Sequence, residues 1–348
     1  MFHGARPVAY KRNAGHQEIL TMVVSVIVPY YNPQSDAEID RLLERAVRSA
    51  VHELDGHTDF EVIVVNDGSP CRPAIQAACS DSRIRFIDRE HGKLGAARNT
   101  GIDRSEGDII TFLDSDDFYF EDTLWPCIQA MKETKADLLG FGFMVTGSAD
   151  GAESLRQPAP VFSQPVTGND WMRRHNLFGS SCMYLIDREL IRAGGLRFME
   201  NSYIEDEEFT PRLVFASRRY VHTAFKVYGY YRRPGSITNL VTRSAVEQRE
   251  RDALAAVASL VSFRRTVSHL PADGLDRKIS TLAIDCLRRA LRRKEWRTDV
   301  MTAVDGLKSI GLYPVPASAL PLGMKLYARL AECRPGCYFL HFFERIAK

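Results

Sequence analysis

Residues 109–117 read Ile-Ile-Thr-Phe-Leu-Asp-Ser-Asp-Asp: five residues fit to lie inside a sheet, then three carboxylates within four positions. A buried strand that runs straight into clustered acids is costly unless something positive balances them. Asp114, Asp116 and Asp117 repel one another, and a divalent cation is the simplest counter-charge. Oxygen ligands of this kind suit Mg²⁺ or Mn²⁺, and Mg²⁺ is usually held by one or two carboxylates together with substrate phosphates. Taken alone, the same residues also fit a solvated turn in which an Asp caps the next helix.

Upstream, SVIVPYYNP (25–33) and EVIVVNDGSP (61–70) each set a β-forming run before an abrupt polar stop. Between them Ile39, Leu42, Leu43, Ala46, Val47, Ala50 and Leu54 recur at intervals of three and four, the apolar stripe of a helix packed on a sheet. This is a βαβ unit, and its crossover is expected to be right-handed. Arg85-Phe86-Ile87 reads as a third strand, residues 95–107 as another helix and Ile109–Leu113 as the fourth strand. Ligands of open parallel sheets gather beyond the carboxyl ends of the strands. Pro29-Tyr30-Tyr31-Asn32, Asn66-Asp67-Gly68-Ser69 and Asp114-Ser115-Asp116 all fall at such ends, so three polar clusters converge on one crevice.

The strings VSVIVPYYN, VVNDGS, LGAARNTGI and FLDSDD, in this order and spacing over residues 23–117, resemble the nucleotide-sugar-binding half of inverting family 2 glycosyltransferases. IEDEEF (204–209) stands where that family has its acidic catalytic motif, and YGYYRRPGSIT (228–238) resembles its closing motif. The resemblance covers residues 22–240. It implies an α/β chain of GT-A fold, a Rossmann-like, mostly parallel sheet flanked by helices, with a C-terminal helical extension. The expected division is a flexible segment 1–21, a catalytic domain 22–240 (nucleotide-sugar half 22–117, acceptor half 118–240) and a helical region 241–348.

The resemblance also implies roles. Pro29 and Tyr31 would neighbour the uridine, and Asp67 would accept a hydrogen bond from the uracil N–H. Arg98 would face the diphosphate. Asp114 would lie near the ribose and the metal, with Ser115 beside it at the donor, and Asp116 would ligate Mn²⁺ or Mg²⁺. Asp206 would be the general base that takes the proton from the acceptor hydroxyl, and Glu205 would orient the acceptor. Each residue also has a plainer reading. Asp67 fits an Asx turn beside Gly68. Arg98 fits a surface arginine paired with Asp103 or Glu106. Asp117 fits a helix cap or a loop brace. Residues 205–208 fit a solvated acidic first turn favoured by the helix dipole, and Glu207 and Glu208 fit it better than their neighbours do.

With 348 residues the chain has room for one large domain and an appendage. A net charge of +2, from 46 basic and 44 acidic side chains, gives no reason to invoke nucleic acid. Seven cysteines without metal-type spacing fit a reduced, cytoplasmic setting. Residues 1–20 lack the apolar core of a signal peptide, and no apolar run reaches the roughly 20 residues of a spanning helix. Residues 136–143 read as a strand and 146–168 as a surface loop; Trp171, Met183 and His222 read as structural.

Beyond residue 240, Leu254, Val257, Leu260 and Val261 mark one amphipathic helix and Ile279, Leu282, Ala283, Cys286, Leu287 and Leu291 a second. Residues 321–348 mix aromatic and basic side chains. Three readings stand: a peripheral contact with the inner face of an anionic membrane, helices folded onto the catalytic domain, and a homodimer contact. The expected activity is metal-dependent, inverting transfer from a UDP-sugar to a hydroxyl of a glycan or lipid-linked saccharide. The alternatives are a nucleotidyltransferase that makes a nucleotide-sugar, against which the absence of a Gly-rich loop after the first strand speaks, and a non-catalytic scaffold of a polysaccharide-synthesis complex.

Overall fold

The computed structural model describes residues 22–147, 155–233 and 242–346. The strands are β1 (Val24–Tyr30), β2 (Phe60–Asp67), β3 (Ile84–Arg89), β4 (Ile109–Phe112), β5 (Phe118–Tyr119), β6 (Leu138–Thr146), β7 (Tyr184–Asp187) and β8 (Tyr220–Tyr231). The helices are α1 (Ala37–Leu54), α2 (Ala74–Ala78), α3 (Lys93–Arg104), α4 (Leu124–Thr134), α5 (Gly168–Arg174), α6 (Arg188–Gly194), α7 (Glu205–Ala216), α8 (Arg243–Thr266), α9 (Asp273–Leu291), α10 (Trp296–Ser309), α11 (Leu322–Ala331) and α12 (Arg334–Ile346).

Two compact units form. The described residues of the first fall within 22–167, 180–201 and 217–233, and those of the second within 168–179, 202–216 and 242–346. In the first unit the strands make one mixed sheet in the order β3-β2-β1-β4-β7-β6-β8-β5. The β3-β2-β1-β4 half is parallel throughout, as the alternation of strand and helix predicts. β1 and β2 are buried along their whole length, and for that reason they read as continuous apolar runs rather than alternating ones. Pro29 sits inside β1 without breaking it: the β1–β4 ladder ends at Ile27–Phe112, so the missing N–H falls beyond the last paired residue.

The stripe predicted on α1 is the buried face of that helix. Ser49 and Glu53 are buried beside it, which the apolar spacing did not announce. Glu53 is 2% exposed, and its carboxylate accepts the N–H groups of Asp122, Thr123 and Leu124 at 2.6, 2.8 and 2.6 Å. It therefore caps α4 from a distance of 70 residues, where the local N-cap residue, Thr123, offers no side-chain bond. Burial still pushes the Glu53 carboxyl up, against the pull of these three N–H groups.

The stretch read as a surface loop, 146–168, is more ordered where it is described. Phe162 and Val166 bridge to Thr223 and Tyr220, laying the chain along β8. Residues 148–154 lie outside the described residues, as do the segment 1–21 and the Pro234–Thr238 end of the closing motif.

The second unit is helical. α9 is its centre and packs against α5, α7, α8, α10, α11 and α12, burying Leu275, Ile279, Ala283, Leu287 and Leu291. α8 and α9 match the two expected amphipathic helices; α10, which buries Val300 and Leu307, is a further helix that the sequence reading did not single out. Among the described residues no helix is long and apolar enough to cross a membrane.

Candidate active site

The three polar clusters do lie at neighbouring strand ends. Tyr30 at the end of β1 is in register with Asn66 on β2, and Asn66 and Asp67 are in register with Asp88 and Arg89 on β3. The Asx turn after β2 belongs to Asn66, whose Oδ1 accepts the Ser69 N–H at 3.1 Å, and not to Asp67. Ser69 Oγ in turn accepts the Asn32 N–H at 2.9 Å, which ties the first cluster to the second.

Asp67 has tertiary partners instead. Its Oδ1 accepts from Arg89 Nη1 and from the Gly92 N–H at 3.0 Å, and its Oδ2 lies 2.9 Å from His91 Nδ1. The turn that brings His91 here requires Gly68, which has φ +79° and would place a Cβ 2.8 Å from the His91 nitrogen. The His91 ring is stacked on Tyr31, centroids 4.4 Å apart, and both rings are open to solvent. A flat aromatic platform thus lies beside a buried carboxylate. Sequence reasoning passed over His91 and Arg89; the clue available was their place at the carboxyl end of the third strand.

Arg98, in the middle of α3, is 0% exposed, which removes the surface-arginine reading. Its Nη2 donates to Asp114 Oδ1 at 2.8 Å and approaches Cys182 Sγ at 3.6 Å, while the guanidinium lies against the Phe112 and Phe198 rings. The proposed partners of the plainer reading pair elsewhere, Asp103 with Arg197 and Glu106 with Arg85.

Asp114, Ser115 and Asp116 are half-buried at the end of β4, and Asp117 is fully buried. Burial and the neighbouring Asp114 push the Asp116 carboxyl up to about 6, against the opposing charges of Arg233, 3.7 Å away, and Arg45. Arg45 on α1 donates to the Asp116 carbonyl at 2.6 Å and lies over the Phe118 and Tyr231 rings, so it fixes the backbone of the turn. Asp117 is the loop brace: it accepts the Tyr228 hydroxyl at 2.6 Å and the Tyr231 N–H at 2.8 Å. The same Tyr228 oxygen accepts the Asp114 N–H at 3.2 Å. Burial, then Asp116 and Asp114, raise the Asp117 carboxyl well above the usual range.

Among the described residues no three His, Cys, Asp or Glu side chains converge as a ready-made metal cage. The donor set nonetheless fits a divalent cation: two carboxylates at one turn, one of them raised by burial and by the charge of the other. Such a pair leaves the remaining positions of an octahedral ion to phosphates and water.

In the second unit Glu205 is buried and Asp206 half-buried at the start of α7. Glu207 and Glu208 do not form a solvated turn. Lys278 Nζ on α9, itself buried, bonds Glu207 Oε2 and the Leu177 carbonyl at 2.8 and 2.9 Å. Glu208 is 1% exposed and holds Arg212 and Ser259 on α8 at 2.5 and 2.7 Å. Asp252 on α8 accepts the Tyr203 N–H at 2.9 Å. The helices beyond residue 242 therefore hold the acidic motif in place.

Residues 25–195 match the sequence model of glycosyl transferase family 2. EpsJ of Bacillus subtilis (strain 168), an uncharacterized glycosyltransferase, is 29% identical over 236 residues, 65% of this chain and 66% of its own length. Glycosyltransferase GlyA of Streptococcus pneumoniae serotype 4 is 26% identical over 63% of this chain and 32% of its own length. The chain thus spans just under two thirds of the first relative and about a third of the second. In fold it is similar to S. aureus TarS 1-349, crystallised in complex with UDP-GlcNAc, with a TM-score of 0.67 at 17% identity over 94% of this chain and 91% of that one.

Proposed function

We propose that this chain, whose residues 25–195 match the model of glycosyl transferase family 2, is a member of that family that transfers a sugar from a UDP-sugar to a hydroxyl of a glycan or lipid-linked saccharide, with inversion at the anomeric carbon. The observation that carries the reading is the Asp114-Ser115-Asp116 turn at the end of β4, with the Asp67 carboxylate at the end of β2, two strands that β1 alone separates. One pole is suited to a metal-bound diphosphate, the other to a base with an N–H to give. The family match favours sugar transfer over nucleotidyl transfer. The intact acids argue against a scaffold role.

The residues divide the work. Tyr31 and His91 offer a ring face for the uracil, and Asp67 Oδ2 has the lone pair that accepts its N–H. Arg98, held off solvent, fixes the rotamer of Asp114, and Arg45 and Arg233 hold Asp116. A divalent cation on Asp116 and Asp114 would stabilise the charge that develops on the departing UDP. Asp206 takes the proton from the acceptor hydroxyl as it attacks, and Glu205 orients the acceptor.

The test is calorimetry of UDP binding with and without Mn²⁺ on wild-type protein and folded Asp116→Asn, together with single-turnover transfer by Asp206→Asn. The expected results are loss of the Mn²⁺-dependent part of binding in the first variant. In the second, donor affinity is retained and transfer falls about 10²–10⁴-fold. The product of an α-linked donor is β-linked by NMR. Unchanged Mn²⁺ dependence refutes Asp116 as ligand, near-normal turnover refutes Asp206 as base, and an α-linked product refutes inversion.

A further inference from the structure

α12 is built inside out for a helix in water. Its acid, Glu344, is 7% exposed and sits against the second unit, accepting from Arg292 Nε at 2.7 Å and pairing with Arg288 Nε at 3.2 Å. Cys337 and Leu340 complete that inner stripe. The outer stripe is Tyr338, Phe339, Phe342, Phe343 and Ile346, all exposed, Phe342 by 62%. Three of the rings cluster, Phe339 on Phe343 at 4.6 Å and Phe342 against Phe343 at 6.2 Å. α11, packed on α12, likewise turns Leu322 and Leu326 outward. A soluble surface rarely carries so continuous an apolar face without a partner.

We propose that the α11–α12 hairpin docks flat on an anionic lipid bilayer, with the aromatic stripe of α12 in the headgroup–acyl boundary. Four features select this occupant. Apart from the buried Glu344, Glu332 is the one acid in residues 322–346, against Lys325, Arg329, Arg334 and Arg345; a clustered positive charge complements an anionic leaflet. The guanidinium of Arg297 lies over the Tyr338 ring at 5.1 Å, which extends the basic set beside the aromatic one. A two-fold contact with a second copy would set these cations against themselves. At 13 residues α12 is too short to span a bilayer and of a length to lie on one. The proposal does not rest on the sugar-transfer reading, because the hairpin contains none of the donor-site residues.

The test is co-sedimentation of the full chain with phosphatidylcholine vesicles and with vesicles of phosphatidylcholine and phosphatidylglycerol at 3:1, at low and high salt. At least tenfold stronger partitioning onto the anionic vesicles is expected, weakened by salt. Partitioning should fall at least tenfold in Phe339→Ser/Phe342→Ser/Phe343→Ser, which changes exposed side chains and leaves UDP binding as in the parent. Should the triple variant not fold, Arg334→Gln/Arg345→Gln decides, losing the preference for anionic vesicles. Full retention of vesicle binding in either folded variant overturns the proposal. So does failure of the wild type to bind anionic vesicles. So does a dimer in sedimentation equilibrium that the triple variant dissolves while vesicle binding is absent. UDP calorimetry on the same preparations keeps failure of the hairpin distinct from failure of the donor site.

Discussion

Tyr228→Phe removes one oxygen and nothing else from a residue that is 1% exposed, so the ring stays packed and only two hydrogen bonds are lost. One is the bond to Asp117 at 2.6 Å, and the other is the bond accepted from the Asp114 N–H at 3.2 Å. A bond to an ionised acceptor is worth about 1.5–3 kcal/mol and a neutral one about 1 kcal/mol, which gives a loss of about 3 kcal/mol while Asp117 is charged. The Asp117 carboxyl is already raised, and the Tyr228 hydroxyl is one of the groups that opposes the rise. Its removal lifts the folded value further. A group raised on folding contributes stability that is full below its unfolded pKa, about 4, and is lost as pH climbs through the folded value. The deficit of the variant is therefore largest at high pH and shrinks to about 1–2 kcal/mol when the acid is protonated. Urea unfolding of wild type and variant in chelated buffer, repeated over a pH series, follows the deficit as the acid titrates. A deficit that stays below about 0.5 kcal/mol throughout the series, or one that does not grow as pH rises, refutes the claim that Tyr228 braces the acidic turn through Asp117.

Glu53→Ala leaves three N–H groups at the start of α4 without their acceptor and should cost about 3–4 kcal/mol in denaturant unfolding; a cost under 1 kcal/mol would mean that water replaces the cap. Asp67→Ala should weaken UDP binding by about 1–3 kcal/mol and pyrophosphate binding by less; equal losses by calorimetry would make Asp67 a brace for His91 and Gly92 rather than a base reader. Glu208→Gln should lower the melting temperature by several degrees, because it strips a buried charge from Arg212, and an unchanged melt would contradict the burial of that pair.

What was legible in the sequence was local. β1 to β4 and the helices between them announce themselves through runs of Val and Ile, stops at Asn-Asp-Gly-Ser and a three–four stripe, all set by neighbours in the chain. The carboxyl-end rule then puts Asp67 and Asp114–Asp116 at the same end of the sheet from sequence alone. What was not legible is the set of partners. Asp67 meets Arg89, His91 and Gly92 only because β2 and β3 are in register, and Glu53 meets α4 across 70 residues. Arg98 looks like any helical arginine until α3 is laid on the sheet and its guanidinium is sealed between Phe112 and Phe198. Glu207 and Glu208 read as a dipole-favoured surface turn since nothing nearby in sequence shows that Lys278 and Ser259 will arrive from α9 and α8. Charge patterning gives the sign of a surface; it does not reveal which acids tertiary packing will bury.

An Asp116 carboxyl near 6 also makes the turn a small proton store. Any cation that takes this carboxylate at mildly acidic pH must first displace its proton, so ligand binding there is a proton exchange as well as an association. The heat of each injection then contains the ionisation heat of whatever buffer receives that proton. Titrations run at one pH in two buffers of different ionisation enthalpy will differ by that amount times the number of protons released, which falls from near one below about pH 5 to near zero above about pH 7. The count of protons, obtained without any substrate turning over, reports whether the cation occupies this acidic turn, where Asp116 and its neighbour Asp117 are both raised.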